Sequence, residues 1–235
     1  MKSTRARLDR LISQKTQIPM SEVRLMLARK QVEVDGNTAL DHKQIVTQFS
    51  RISVNGQLLQ DNSPVYLMLH KPRGVVCATQ DKRHTTVIDL IDHPMKDHLH
   101  IAGRLDFNST GIVLLTNDGH WSRNLFSPTA HIQKYYRVTL AETITEETVR
   151  AFAEGIYFKY ENITTRPATL TPEGARCATV ALTEGRYHQI KRMFGVFQNE
   201  VLSLHRYQVG ALTLDDLPEG KCRLLKQQSA GSNSE

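Results

Sequence analysis

The sequence predicts an α+β protein: a small basic unit, then a larger one built on a mostly antiparallel sheet. Three observations predict this. Strand-length apolar or alternating stretches recur from Val32 to Leu214, separated by turn-forming residues. Helix-like segments are few and do not alternate regularly with the strands, as a parallel sheet would require. Positive charge gathers at one end. Residues 1–31 hold eight Lys/Arg against two acids, a net of +6, which equals the net charge of all 235 residues.

Residues 5–30 read as two short helices. Leu8, Leu11 and Ile12 lie at helical spacing, and Ile18-Pro19 breaks the pattern. Ser21 is the expected N-cap of a second helix through Lys30, with Val23, Met26 and Leu27 inward. Val32–Val34 and Ile52–Val54 alternate and end at Asp35-Gly36 and Asn55-Gly56, both hairpin-turn pairs. Residues 1–59 are assigned to this unit and the polar 60–64 to a linker.

From residue 65 the chain is denser. Val65–Leu69 is a predicted buried strand and Val75–Ala78 the next, with a short helix or turn at Val87–Ile91. Asp92–His100 holds three histidines, but Pro94 spoils helical ligand spacing, so a surface loop is expected and no metal site. Ile112–Leu115 is continuously apolar between glycine-containing turns, as a fully buried strand is. Asp118 is expected to cap a helix over His120–Leu125. Ile132–Leu140 reads as a strand and Thr143–Glu154 as an amphipathic helix stopped by Gly155. Strands fill 156–183, a helix carries Met193, Phe194 and Phe197, and strands follow at Val201–His205 and Leu212–Leu214. This second unit is assigned 65–226, with 227–235 a Ser/Gly/Asn-rich disordered tail.

Composition narrows the function. Cys77, Cys177 and Cys222 are scattered and odd in number, which fits a reducing cytoplasm and no disulfide framework. The N-terminus lacks the apolar core of a signal peptide, and no apolar run approaches a membrane span. A basic end on a near-neutral body points to a polyanion, with Arg7, Arg10, Arg24, Arg29 and Lys30 as its contacts.

Three motifs carry the chemistry. Gly103-Arg104-Leu105-Asp106 sets a carboxylate in a loop that runs through Asn108-Ser109-Thr110 into the buried strand. An acid so close to a core is paired or functional. In Lys134-Tyr135-Tyr136, strand alternation puts Lys134 and Tyr136 on one face and Tyr135 on the other. In Glu184–Met193, helical spacing clusters His188, Lys191 and Arg192, while Ile190 and Phe194 face a core. A carboxylate, a stackable ring and cations are what an enzyme acting on a nucleobase needs. Each motif alone is more often structural: an Arg–Asp loop clamp, a core tyrosine, a solvated basic helix.

Together these motifs resemble the RsuA-type ribosomal RNA pseudouridine synthases. The match runs through Gly-Arg-Leu-Asp at 103–106, Ser-Thr-Gly-Ile-Val-Leu-Leu-Thr-Asn-Asp-Gly at 109–119, Lys-x-Tyr at 134–136 and Glu-Gly-Arg-Tyr-His-Gln-Ile-Lys-Arg-Met at 184–193. His-Lys-Pro-Arg-Gly at 70–74 is close to the family's usual Asn-Lys-Pro-x-Gly, with His70 in place of Asn. The basic N-terminal unit is similar to the S4 RNA-binding module of this group. Tyr187-His188-Gln189 and Leu204-His205-Arg206 resemble the small-subunit (16S) enzyme more than its large-subunit relatives.

The resemblance implies a central antiparallel sheet with a cleft across it. It implies Asp106 as catalytic aspartate, Tyr136 as the ring stacked on the target uracil and Lys191 as the aspartate's basic partner. Arg104 would enter the space left by the extruded nucleotide. Lys71, Lys134, Arg186, His188 and Arg192 complete the expected RNA contacts. The expected partner is ribosomal RNA in a small-subunit assembly intermediate, met by a cytoplasmic monomer. Uridine-to-pseudouridine conversion exchanges no atoms or electrons overall, so no cofactor is expected, and the sequence carries neither a P-loop nor a dinucleotide fingerprint. The base must be flipped out to turn, and a paired cation favours the ionised carboxylate. Two other readings compete. A non-catalytic RNA-binding assembly factor would not need Asp106, Tyr136 and Lys191 together. A hydrolase would need a second carboxylate, and Asp118 sits in a turn as a helix cap; there is no Gly-x-Ser-x-Gly elbow.

Overall fold

The computed structural model describes residues 5–127 and 129–226; the expected disordered tail and Lys2 lie outside them. The chain divides into two compact units, Met1–Pro64 and Val65–Glu235.

In the first unit, helices Leu8–Thr16 and Met20–Ala28 pack Leu8, Ile12, Val23 and Leu27 against Val32, Val34, Ile52 and Val54. The four-stranded sheet runs Asn37–Thr38, Val32–Val34, Ile52–Val54, Gln57–Gln60, all antiparallel. Asp35-Gly36 and Asn55-Gly56 take positive φ at both residues, the conformation a two-residue hairpin turn requires. Ser21 is not the cap. The helix starts two residues earlier, behind Pro19, whose carbonyl accepts from the backbone amides of Glu22 and Val23. Gln60, assigned to a linker, closes a strand and is buried, donating to the carbonyls of Thr47 and Ser50.

The second unit is a nine-stranded sheet. Its main order is Thr169–Pro172, Cys177–Leu182, Lys134–Leu140, Val201–Val209, Thr110–Thr116, Tyr66–Lys71, Cys222–Leu224. Strands His100–Ala102 and Leu212–Thr213 pair at its margins. Among the described strands the one parallel pairing joins Val201–Val209 to Thr110–Thr116. The apolar run of Thr110–Thr116 is buried on both faces: Val113 and Leu115 join one cluster, Ile112 and Leu114 the other. On the first face lie Phe152 of helix Glu146–Glu154 and Ile190, Met193 and Phe194 of helix Gln189–Gly195. The second face packs Trp121, Leu125 and Phe126 of helix Gly119–Phe126, which Asp118 caps by accepting from His120 and Trp121. Val75–Ala78 forms no strand. Val75 is buried, but only Val76 bridges, to Thr86. No described helix is long and apolar enough to cross a membrane.

Candidate active site

The Asp106 loop is built from the inside. Gly103 has φ +76, and a Cβ there would lie 2.0 Å from the Phe126 ring, so only glycine fits. Leu105 is buried, and its amide donates to Cys77 Sγ at 3.3 Å. After Asp106 the backbone turns, with Ser109 N donating to the Asp106 carbonyl at 3.1 Å. That turn is held by Lys71. Its side chain is fully buried, and Nζ donates to the carbonyls of Pro72 (3.0 Å), Phe107 (3.2 Å) and Ser109 (2.7 Å). Burial pushes its pKa below the usual lysine value. The resemblance makes Lys71 an RNA contact; the structure makes it an internal fastener, because three loop carbonyls converge on the strand end and need a donor.

Asp106 itself is a quarter exposed and faces two basic side chains. Its Oδ2 lies 2.8 Å from Lys191 Nζ, and its Oδ1 lies 3.3 Å from His188 Nε2. Lys191 rides on helix Gln189–Gly195. His188 does not share that helix, contrary to the spacing argument. It precedes the first turn in the left-handed region, φ 49 and ψ 31, a conformation uncommon outside glycine. The bend is tied by Glu184, which is buried and accepts from Arg166 N (3.0 Å), Gln189 Nε2 (2.6 Å) and Arg186 Nε (3.1 Å). Arg192 is not brought to Asp106. It is ion-paired with Glu161, and its guanidinium lies 3.9 Å from the Phe158 ring centroid.

Lys134 and Tyr136 share a buried face of their strand, opposite Leu182 and Val180, and both line the cleft. Tyr135 takes the other face, with its ring centroid 6.1 Å from that of Tyr207. Lys134 donates to the carbonyls of Ile132 (3.1 Å) and, at the long limit, Thr183 (3.4 Å). Its burial, with Arg206 close by, draws its pKa down to about 8.

Arg206 is a site residue to which sequence alone assigns no role. It is 2% exposed, lines the cleft and donates to Ile112 O (2.9 and 2.6 Å), Gly103 O (2.5 Å) and the Tyr136 hydroxyl (3.4 Å). It thereby ties the start of the Asp106 loop, the central strand and the Tyr136 ring to one rigid plane. The signal available in sequence is its phase: Leu204 and Arg206 fall on the same face of an alternating strand, so a cation sits where an apolar residue is expected.

These groups line one cleft of about 610 Å³. Asp106, Lys191, His188, Tyr136, Lys134, Arg206, Arg104 and Arg186 all reach its wall. Arg104 is exposed at its edge. Of the basic residues expected to bind RNA from the first unit, Arg10, Arg29 and Lys30 are exposed. Arg7 and Arg24 are also exposed but grip the fully buried Asp9 at 2.8 and 3.2 Å. Burial alone would raise the Asp9 pKa, but the two guanidinium groups and the Arg10 amide bring it below the usual value.

Known proteins share this sequence and this shape. A family model described as RNA pseudouridylate synthase matches residues 65–195. A Pseudomonas aeruginosa protein named ribosomal small subunit pseudouridine synthase A is 46% identical over 224 residues, covering 94% of this chain and 97% of that one. Its namesake from Escherichia coli K12 is 38% identical, covering 96% and 99%. A solved structure described as a pseudouridylate synthase superposes with a TM-score of 0.68 at 37% identity, covering 96% of this chain and 97% of that one.

Proposed function

The chain belongs to the RNA pseudouridylate synthase family, and from that premise we propose that it isomerises a specific uridine of 16S ribosomal RNA to pseudouridine, with Asp106 as the catalytic carboxylate and no cofactor. The observation that carries the reading is the Asp106 carboxylate, held at 2.8 and 3.3 Å by Lys191 and His188 in a cleft whose wall includes the Tyr136 ring.

The target base leaves its helix, enters the cleft and stacks on Tyr136, whose hydroxyl accepts a hydrogen bond from Arg206. Asp106 acts while the bond between N1 and the sugar carbon breaks and a bond from C5 to that carbon forms. The proton lost from C5 is balanced by one gained at N1, so nothing else is consumed. Lys191 and His188 aim the carboxylate oxygens. Arg104 enters the place of the extruded nucleotide, and Arg186 contributes positive charge along the path of the RNA. Lys134, expected from sequence as an RNA contact, is instead buried with its ammonium on two backbone carbonyls. The first unit acts as an S4-like RNA-binding module. The same reading has the protein working as a cytoplasmic monomer on a small-subunit assembly intermediate.

The test is Asp106→Asn, which keeps size but removes the charge and the nucleophile. It is expected to fold, bind ribosomal RNA and form no pseudouridine, mapped by carbodiimide-dependent primer-extension stops. If Asp106 serves only as a structural counter-charge, the variant instead loses thermal stability, and its yield follows the folded fraction. A stable, RNA-binding variant with near wild-type yield removes Asp106 from the mechanism.

A further inference from the structure

Tyr187 lines the cleft yet is 76% exposed. An exposed tyrosine on a loop is ordinarily free to swing, but this ring is held. It lies 3.8 Å from the His188 imidazole at an interplanar angle of 20°. His188 is fixed in turn by its left-handed backbone and by its 3.3 Å contact with Asp106. Tyr187 is thus the outer layer of a short ladder of ring, imidazole and carboxylate. One face of its ring is covered by His188, and the residue is otherwise largely open to solvent.

The surroundings select the occupant. Arg104 and Arg186 line the same cleft, Arg186 with its Nε on Glu184, so an arriving group meets a flat π surface in a cleft that also holds two guanidinium groups. An unpaired nucleotide supplies both a base to stack and a phosphate to pair, which an apolar protein side chain does not. A base held there would be placed by His188 in fixed register with Asp106.

We infer that Tyr187 is the stacking platform for an unpaired nucleotide beside the target uridine, a contact that helps select the substrate. This rests on the reading that the chain modifies RNA.

The probe is a fluorescent 16S ribosomal RNA fragment centred on the mapped uridine, alongside versions with an abasic residue immediately 5′ or 3′ of it. Dissociation constants are measured by anisotropy, and pseudouridine formation is measured separately, for wild type, Tyr187→Leu and Tyr187→Trp. The ring is mostly solvent-exposed, so the variants are expected to fold. Tyr187→Leu is expected to weaken binding of the intact RNA about tenfold, and Trp to restore it. An abasic residue at one of the two positions is expected to weaken wild type by a similar factor while leaving the Leu variant almost unchanged. If every abasic RNA costs wild type and the Leu variant the same factor while wild type still makes pseudouridine, the platform is refuted and the functional reading stands. If wild type makes no pseudouridine in any ribosomal RNA, the functional reading falls and the inference falls with it.

Discussion

At the scale of single residues, the cleft combines groups with opposite demands. Asp106 is open enough to reach a substrate, whereas Lys134 and Arg206 are nearly fully buried cations in the wall of the same cleft. Lys134 therefore makes a prediction with a definite sign. Its pKa falls to about 8, against an ordinary 10.5. Between those values the unfolded chain holds the proton and the folded chain releases it, so stability rises with pH through this window. Below the window both states are protonated and the cost of burying the ammonium is felt in full. Lys134→Met should consequently raise the melting temperature, relative to wild type, more at pH 7 than at pH 10. Equal shifts at the two pH values would show that the ammonium is not perturbed. Tyr136 and Tyr135 give a second contrast. Tyr136→Leu removes the cleft ring and should cut pseudouridine formation by about 5- to 150-fold, given stacking worth roughly 1–3 kcal/mol per base. Tyr135→Leu, on the other face, should cost less. The reverse order in a turnover assay would mean that the other strand face meets the base. Asp106, Lys191 and Tyr136 are legible in the sequence because each sits in a patterned motif. Lys71 and Arg206 are not. A lysine at a strand end looks solvated until the three carbonyls that converge on it are seen, and an arginine phased with Leu204 carries no local mark of the two carbonyls and the hydroxyl it binds.

At the scale of elements, the strands that flank the cleft depend on one close approach. Gly111 has φ +111, and a Cβ added to it would lie 2.1 Å from the carbonyl oxygen of Arg206, where the sheet's parallel pairing begins. No side chain can move to relieve a contact with backbone. Gly111→Ala is therefore expected to destabilise the protein by at least about 2 kcal/mol in urea denaturation, combining backbone strain with separation of the two strands. Gly195, the last residue of the helix that carries Lys191, supplies the control: a Cβ added there would meet nothing within 4 Å, and its φ is ordinary. Gly195→Ala should stabilise by about 0.4–1 kcal/mol through the unfolded state. Equal effects at the two sites would show that the close approach is not what constrains Gly111. The long strands and the helices with an apolar face are legible because their periods run for several residues. Arg5–Arg7, His100–Ala102 and Cys222–Leu224 have three residues each and, unlike Val32–Val34 and Ile52–Val54, no Asp-Gly or Asn-Gly turn directly after them to mark them, and are defined by their partners. Val75–Ala78 misleads in the other direction: an apolar run reports burial, and burial here comes without a ladder.

At the scale of the whole molecule, charge and chemistry are divided between two units, each with its own core. The cleft and every residue of the proposed mechanism belong to the second unit, while most of the excess positive charge, +4 of the net +6, belongs to the first. A chain lacking residues 1–64 should therefore keep a cooperative melting transition, because none of its apolar cluster is removed. What it should lose is affinity for ribosomal RNA, together with part of its salt dependence. Not every arginine of the first unit counts toward that loss. Lys15 and Lys43 are also exposed, but of the five cations expected to contact RNA, Arg7 and Arg24 are committed to Asp9, which leaves Arg10, Arg29 and Lys30. If those three contact phosphates, the slope of log affinity against log salt should fall by roughly 2–3, at about 0.7–0.9 per phosphate. The measurement is a salt titration of binding for the intact and shortened chains. An unchanged slope would remove the first unit from RNA recognition. A loss of roughly 4 would mean that two further cations reach the RNA, either Arg7 and Arg24 on leaving Asp9 or the exposed Lys15 and Lys43. The case is then decided by Asp9→Asn, which frees both guanidinium groups and should raise the slope of the intact protein only if they are otherwise held back.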